Sequence, residues 1–269
     1  MKKVIFIGNC QCAGIREILQ RYTNFNTKYI WTEYANWQMI ENNEAPPSRD
    51  LSEADIVIYQ PLSDVYGCYS TNPNNPNNML KICKENAITI SFPRIHNNSL
   101  WPIFKKRNVR NDYYGVDFLK YYENQHIQTR KEFLYLYDNH LFDFRMKERF
   151  QSNMNITLNK EEETDVKVYN FIMQNYKTKH LFLTHDHPTT CVFHHCASQI
   201  IDRLDIEYLS DFDINTVHYN ISNSQDSVYN DVSCMYPDSS YSISYRYGII
   251  NDDFYKIELQ NFLDTVNIF

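Results

Sequence analysis

Residues Val4-Ile5-Phe6-Ile7 run into Gly8-Asn9 and then directly into Cys10-Gln11-Cys12-Ala13-Gly14-Ile15-Arg16-Glu17-Ile18-Leu19. Four consecutive apolar positions, three of them β-branched, suit a strand covered on both faces. Ile15, Ile18, Leu19 and Tyr22 then recur at helical spacing, so a buried strand, a sharp Gly8-Asn9 corner and a helix are expected in immediate succession. This junction places the Cys10 thiol in the first turn of the helix, where unpaired N–H groups and the positive end of the helix dipole favour an anion. Such an anion is a thiolate, a phosphate or the oxyanion of an acyl-transfer intermediate. The alternative for Cys10 is a small residue buried in an ordinary turn.

A chain of 269 residues, 43% hydrophobic, has ample material for a core, and a single α/β domain over residues 1–269 is expected. The formal net charge of -7 argues against nucleic acid or an anionic membrane as the main partner. The first apolar run is too short for a signal-peptide core and no later run reaches membrane-spanning length. A cytoplasmic protein without membrane insertion is therefore expected, and its 7 cysteines read as reduced thiols.

Further along, Lys28-Tyr29-Ile30-Trp31 suits a short strand, residues 41–50 with Pro46-Pro47 a loop, and Asp55-Ile56-Val57-Ile58-Tyr59-Gln60 a second central strand closed by Gln60-Pro61. Turns are expected over Asn72–Asn78, a short helix over Met79–Glu85, and a strand over Ala87–Pro93. This order predicts a parallel sheet flanked by helices, whose ligands bind beyond the carboxyl ends of the strands. A helical insertion is expected at about 101–177. The strand pattern returns at His180–Thr184, followed by His185-Asp186-His187-Pro188 and a helix through Cys196, Ile200, Ile201 and Leu204. Residues 210–245 carry no clear assignment, and Leu259, Phe262, Leu263 and Val266 mark a terminal helix.

Three constellations bear chemistry. Cys10 and His187 both follow predicted strands, as a helix-activated thiol and an imidazole base would; alternatively His187 only orients its loop. Cys10, Cys12, His185, His187, Cys191, His194, His195 and Cys196 include zinc-type ligands, but Cys-x-Cys spacing and three adjacent helical residues do not converge on one ion, and no metal is expected. Lys105, Lys106 and Arg107, with Arg110 and Arg94, form a basic cluster suited either to phosphates or to a solvated face. No Gly-x-Gly-x-x-Gly or Walker-type loop is present.

With Gly8-Asn9-Cys10-Gln11, Gln60-Pro61, Phe92-Pro93 and His187-Pro188 in hand, the sequence resembles the WcbI family of polysaccharide-biosynthesis acetyltransferases. The resemblance implies an SGNH-hydrolase-related, Rossmann-like α/β sheet, coenzyme A or acetyl-CoA as co-substrate, and acetyl transfer to an amino or hydroxyl group of a nucleotide sugar or glycan. It implies Cys10 at the nucleophile position and His187 as the catalytic histidine. Gln11 would assist an oxyanion, and Asp186 would stand beside the histidine, since Thr184 occupies the position where SGNH enzymes carry aspartate. Gly8, Asn9, Gln60, Ser91, Arg94, Lys105, Lys106 and Arg107 would bind the cofactor. The same residues would serve a carbohydrate esterase with water as acceptor; a non-catalytic sugar-binding module is the third reading.

Overall fold

The computed structural model describes residues 1–97, 127, 129–139, 141, 146–176, 179, 181–184 and 187–211. These fall into two compact units, one built from residues 1–96, 155–175 and 187–211, the other from the described residues of 97–154 and 176–184. Lys105, Lys106, Arg107, Arg110, His185 and Asp186 lie outside the described residues, as do 101–126, the stretch from 212 and the expected terminal helix.

The first unit is an α/β structure around four parallel strands, β1 (Lys2–Gly8), β2 (Tyr29–Ala35), β3 (Ile56–Tyr59) and β4 (Ile88–Ser91), in the order β2-β1-β3-β4. The central position of β1 explains its uninterrupted apolar run. Phe6 faces Phe25, with ring centroids 6.0 Å apart, whereas Ile5 and Ile7 join Met39, Leu51, Val57, Leu62, Tyr69 and Met79 on the other face. Each such side chain contributes about 1.5–3 kcal/mol by leaving water.

Helix α1 (Cys10–Tyr22) buries Ile15, Ile18 and Leu19. A short helix α2 (Phe25–Lys28) leads into β2. Residues 41–50 are not one loop: α3 (Asn36–Asn42) ends on Asn43 in the left-handed region, and α4 (Ser48–Glu53) starts immediately after Pro47. Proline lacks an N–H and fixes φ, which suits it to the edge of a helix, so Pro46-Pro47 punctuates two helices here.

The connection from β3 to β4 contains 3-10 segments at Asp64–Tyr69 and Met79–Ile82 in place of an α-helix. Leu62, Tyr69 and Met79 from this connection close the core face beneath it. Its asparagines make the expected turns: Asn72 and Asn75 accept through Oδ1 from the N–H two residues on, at 3.0 and 2.9 Å. Asn78 does the same for Leu80 at 2.8 Å, and the helix expected to 85 is only the 3-10 turn that this cap begins.

Three further helices are α5 (Arg130–Asp138), α6 (Met146–Glu162) and α7 (Tyr169–Asn175), of which α5 belongs to the second unit and α7 to the first. The second unit also contains β5 (Phe182–Thr184) and the stacked rings of Phe150 and Tyr176, 4.4 Å apart. In the first unit, β6 (His187–Pro188) is followed by α8 (Thr190–Leu204), whose apolar face includes Val192, Phe193, Cys196, Ile200 and Ile201. Among the described residues no helix is long and apolar enough to cross a membrane.

Candidate active site

The strand order changes direction between β1 and β3, and in open parallel sheets the ligand crevice opens beyond the carboxyl ends of the strands at such a point. Gly8 ends β1 there. A Cβ on it would lie 2.7 Å from Cys12 Cβ and 3.2 Å from Phe92 Cζ, so the tight strand-to-helix turn requires glycine. Asn9 caps α1, its Oδ1 accepting from the Gln11 N–H at 2.9 Å and its carbonyl from the Cys12 N–H at 2.9 Å. A cap of this kind contributes about 1 kcal/mol. Cys10 is the first helical residue and is exposed, which rules out the reading of a small buried residue in an ordinary turn.

Gln11, by contrast, is fully buried and its carboxamide is committed to the chain leaving β4. Gln11 Nε2 donates to the Ile95 carbonyl at 2.6 Å, and the Ile95 N–H donates to Gln11 Oε1 at 3.0 Å. Gln60, 3% exposed, donates from Nε2 to the same Gln11 oxygen at 3.2 Å, and its main-chain N–H donates to the Ile7 carbonyl at 2.8 Å. The ends of β1, β3 and β4 are thereby tied together by two side-chain amides. Arg94 is exposed and immediately precedes Ile95, just as the exposed Cys10 immediately precedes Gln11.

Ser91, a residue expected at the cofactor, is bonded to Asp165. Its N–H and its hydroxyl both donate to Asp165 Oδ2 at 2.8 Å, its Oγ accepts from the Asp165 N–H at 2.9 Å, and its carbonyl accepts from the N–H groups of Asp165 and Val166. Asp165 also pairs with Arg203 at 3.3 Å. The residue paired to Ser91 across the sheet, Tyr59, has its phenol pushed up by burial. Sequence reasoning missed Asp165 and the Ile95 backbone. Asp165 sits in an acidic stretch that reads as surface, and a backbone acceptor leaves no trace in residue type.

Helices α1 and α8 show where His187 lies along the fold. Near their starts, Gly14 faces the ring of Phe193, so close that a Cβ would stand 2.8 Å from it. Beyond their ends, the Leu209 N–H donates to the Tyr22 carbonyl and the Asn24 N–H to the Glu207 carbonyl, both at 2.9 Å. Contacts start-to-start and end-to-end make the pair parallel. The start of α8, preceded by His187-Pro188-Thr189, therefore lies at the same end of the unit as Cys10.

Cys12, Cys196, His194 and His195, four of the other candidate metal ligands, are engaged otherwise. Cys12 and Cys196 are fully buried in helices, where burial pushes both thiols well up. His195 stacks on Phe171 at 4.2 Å with Nε2 3.0 Å from the Lys167 carbonyl, and burial lowers its pKa; His194 Nε2 is 3.1 Å from the Tyr208 hydroxyl. Among the described residues no group of three or more histidine, cysteine or acidic side chains is placed to hold a metal ion.

The family model described as "Polysaccharide biosynthesis enzyme WcbI" matches residues 3–209. The chain belongs to the WcbI family. A solved WcbI structure, described as that of a novel polysaccharide biosynthesis enzyme in its native form without a disulfide bond between coenzyme A and a cysteine, is similar with a TM-score of 0.53. It is 15% identical, covering 96% of this chain and 98% of that one, a likeness that speaks for the shared α/β fold. No curated protein matches the chain.

Proposed function

We propose that this WcbI-family chain is an acyl-CoA-dependent acetyltransferase that modifies an amino or hydroxyl group of a nucleotide sugar or glycan during polysaccharide assembly. The observation that carries the reading is Cys10: an exposed thiol in the first turn of a helix, at the sheet's switch point, beside the Gln11 clamp. The WcbI relative supports the carrier, since coenzyme A and a cysteine are named together in its description.

In this reading His187 accepts the Cys10 proton and the thiolate attacks the thioester carbonyl. The C–S bond to coenzyme A breaks, and the departing thiolate takes the proton from His187. The acceptor hydroxyl or amine then loses a proton to His187, attacks the acetyl-Cys10 carbonyl and releases the Cys10 sulfur, which recovers the proton. Direct attack of the acceptor on the bound thioester, with His187 as base, is the variant in which Cys10 only cradles the thioester. Asp186 is assigned to orient His187. Gly8 and Asn9 shape the turn, Gln60 contacts the cofactor and Arg94 takes its phosphates, while the phosphate-binding role of Lys105, Lys106 and Arg107 is proposed from the sequence alone.

Gln11 is a positioning residue here, because both ends of its carboxamide hold Ile95. Ser91 supports β4 through Asp165.

The test is rapid-quench mass spectrometry of the protein mixed with acetyl-CoA and a panel of sugar nucleotides. Acetyl-CoA consumption with an acetylated sugar is expected, together with a transient acetyl adduct on Cys10. His187→Ala should lower kcat/KM by about 10²–10⁴-fold. An adduct that never forms selects the direct route. Turnover of p-nitrophenyl acetate that ignores coenzyme A, with no sugar modified, would overturn the transferase in favour of an esterase.

A further inference from the structure

Gln60 presents one atom that no described residue uses. Its carboxamide has an oxygen end and a nitrogen end, and which is which is normally an assignment from the hydrogen-bond network. Here the network has a fixed origin. The Ile95 main chain has an unambiguous donor and acceptor, and both engage Gln11: N–H to Oε1 at 3.0 Å, carbonyl from Nε2 at 2.6 Å. Gln11 therefore cannot be reversed, and the atom it turns to Gln60 is its oxygen, 3.2 Å away. An oxygen must be met by a donor, so Gln60 gives it Nε2, and the Gln60 Oε1 is directed elsewhere. Among the described residues nothing donates to that oxygen, although the residue is 3% exposed. Folded proteins pair roughly nine in ten or more of their buried polar groups, so an oriented, buried and unused acceptor at the switch point indicates a donor that arrives with the ligand.

The polarity restricts that donor. A carbonyl oxygen repels phosphate, carboxylate and oxyanion, so Gln60 does not serve the charged parts of a cofactor. It needs an N–H or O–H. The place restricts it further, because Gln60 bonds to the residue next to Cys10, the thiol that meets the thioester. In a pantetheine arm the amide N–H closest to the sulfur is separated from it by only two carbons.

We propose that Gln60 Oε1 accepts a hydrogen bond from that amide N–H and so registers the thioester against Cys10, an inference that rests on coenzyme A as the carrier. The relay from Ile95 through Gln11 to Gln60 sets the direction of the bond.

The experiment measures coenzyme A binding to wild-type protein and to Gln60→Met, each with coenzyme A and with the analogue whose sulfur-proximal amide is replaced by an ester. In wild type the ester should bind about tenfold more weakly, the size of one lost hydrogen bond. Gln60→Met should lose a similar factor for coenzyme A and no longer distinguish the two ligands. Melting curves check that the variant folds; if it does not, the amide-to-ester comparison in wild type decides alone. Equal binding of both ligands by wild type would overturn the proposal and leave the acceptor to a bound water or to the sugar's attacking group. Full discrimination retained by a folded Gln60→Met would overturn it as well. Failure of wild type to bind coenzyme A in any form removes the carrier, and this proposal falls with it.

Discussion

Cys10 and Cys12 lie two residues apart in one helix and have opposite chemistry. Cys10 is exposed, whereas Cys12 is buried against Gly8. Burial is the main cause that pushes the Cys12 thiol up; the Glu33 carboxylate adds to it and Arg16 opposes it. Cys196 is raised by burial first and by Glu161 second. An unfolded thiol ionises near pH 8.5. The folded state therefore holds protons that the unfolded state releases above that pH. The resulting stability is complete below the unfolded pKa and is lost as pH climbs from there toward the folded values. Urea midpoints should hold steady from pH 7 to about 8, then fall, each buried thiol contributing a slope of about 1.4 kcal/mol per pH unit. Cys196→Ala should shallow the alkaline slope; an unchanged slope would contradict the assignment. Brief alkylation of the native protein should label Cys10 and Cys68, both exposed, and spare Cys12 and Cys196.

At the scale of elements, the parallel contact of α1 and α8 turns on Gly14. Alanine at a helix interior normally gains about 1 kcal/mol over glycine. Here the added methyl would stand 2.8 Å from two ring carbons of Phe193, which is itself 1% exposed. Overpacking costs about 1–3 kcal/mol, so the contact outweighs the propensity gain and Gly14→Ala should lower stability in urea melts. A stabilised variant would show that the two helices are less closely seated. This contact also marks where sequence reasoning stopped. The strand, turn and helix of residues 4–19 were legible because each period is complete within its own stretch. The helix ending at Leu204 was legible too, but its partner was not: Gly14 and Phe193 carry no shared local pattern, and their meeting is decided by the fold of everything between them. The helices on either side of Pro46-Pro47 were missed for the opposite reason, as two prolines outweighed the short polar flanks that they delimit.

At the scale of the molecule, a parallel sheet concentrates chemistry at one edge because all its strands finish together. Gly8, Tyr59 and Ser91 end adjacent strands of the β1-β3-β4 run, so the residues just after them share an edge. That edge was readable from the alternation of strand and helix. The Gln11 bridge between Ile95 and Gln60 was not: both glutamines stood out as candidate site residues, but contacts between residues so far apart in the chain leave no local pattern that would show them bonded to each other. If the edge is the coenzyme A site, binding must reduce opening there and leave the opposite edge alone, since local opening is suppressed only where the ligand favours the closed form. Hydrogen exchange with saturating coenzyme A should therefore slow at residues 8–12, 60–63 and 92–96. Residues 52–55 and 83–87, which enter β3 and β4 from the amino side, should exchange as before. Arg94→Ala should diminish the slowing at 92–96 with coenzyme A and have no such effect with pantetheine, which lacks the nucleotide phosphates. Slowing confined to 52–55 and 83–87 would place the ligand at the wrong end of the sheet and remove Cys10 from the reaction.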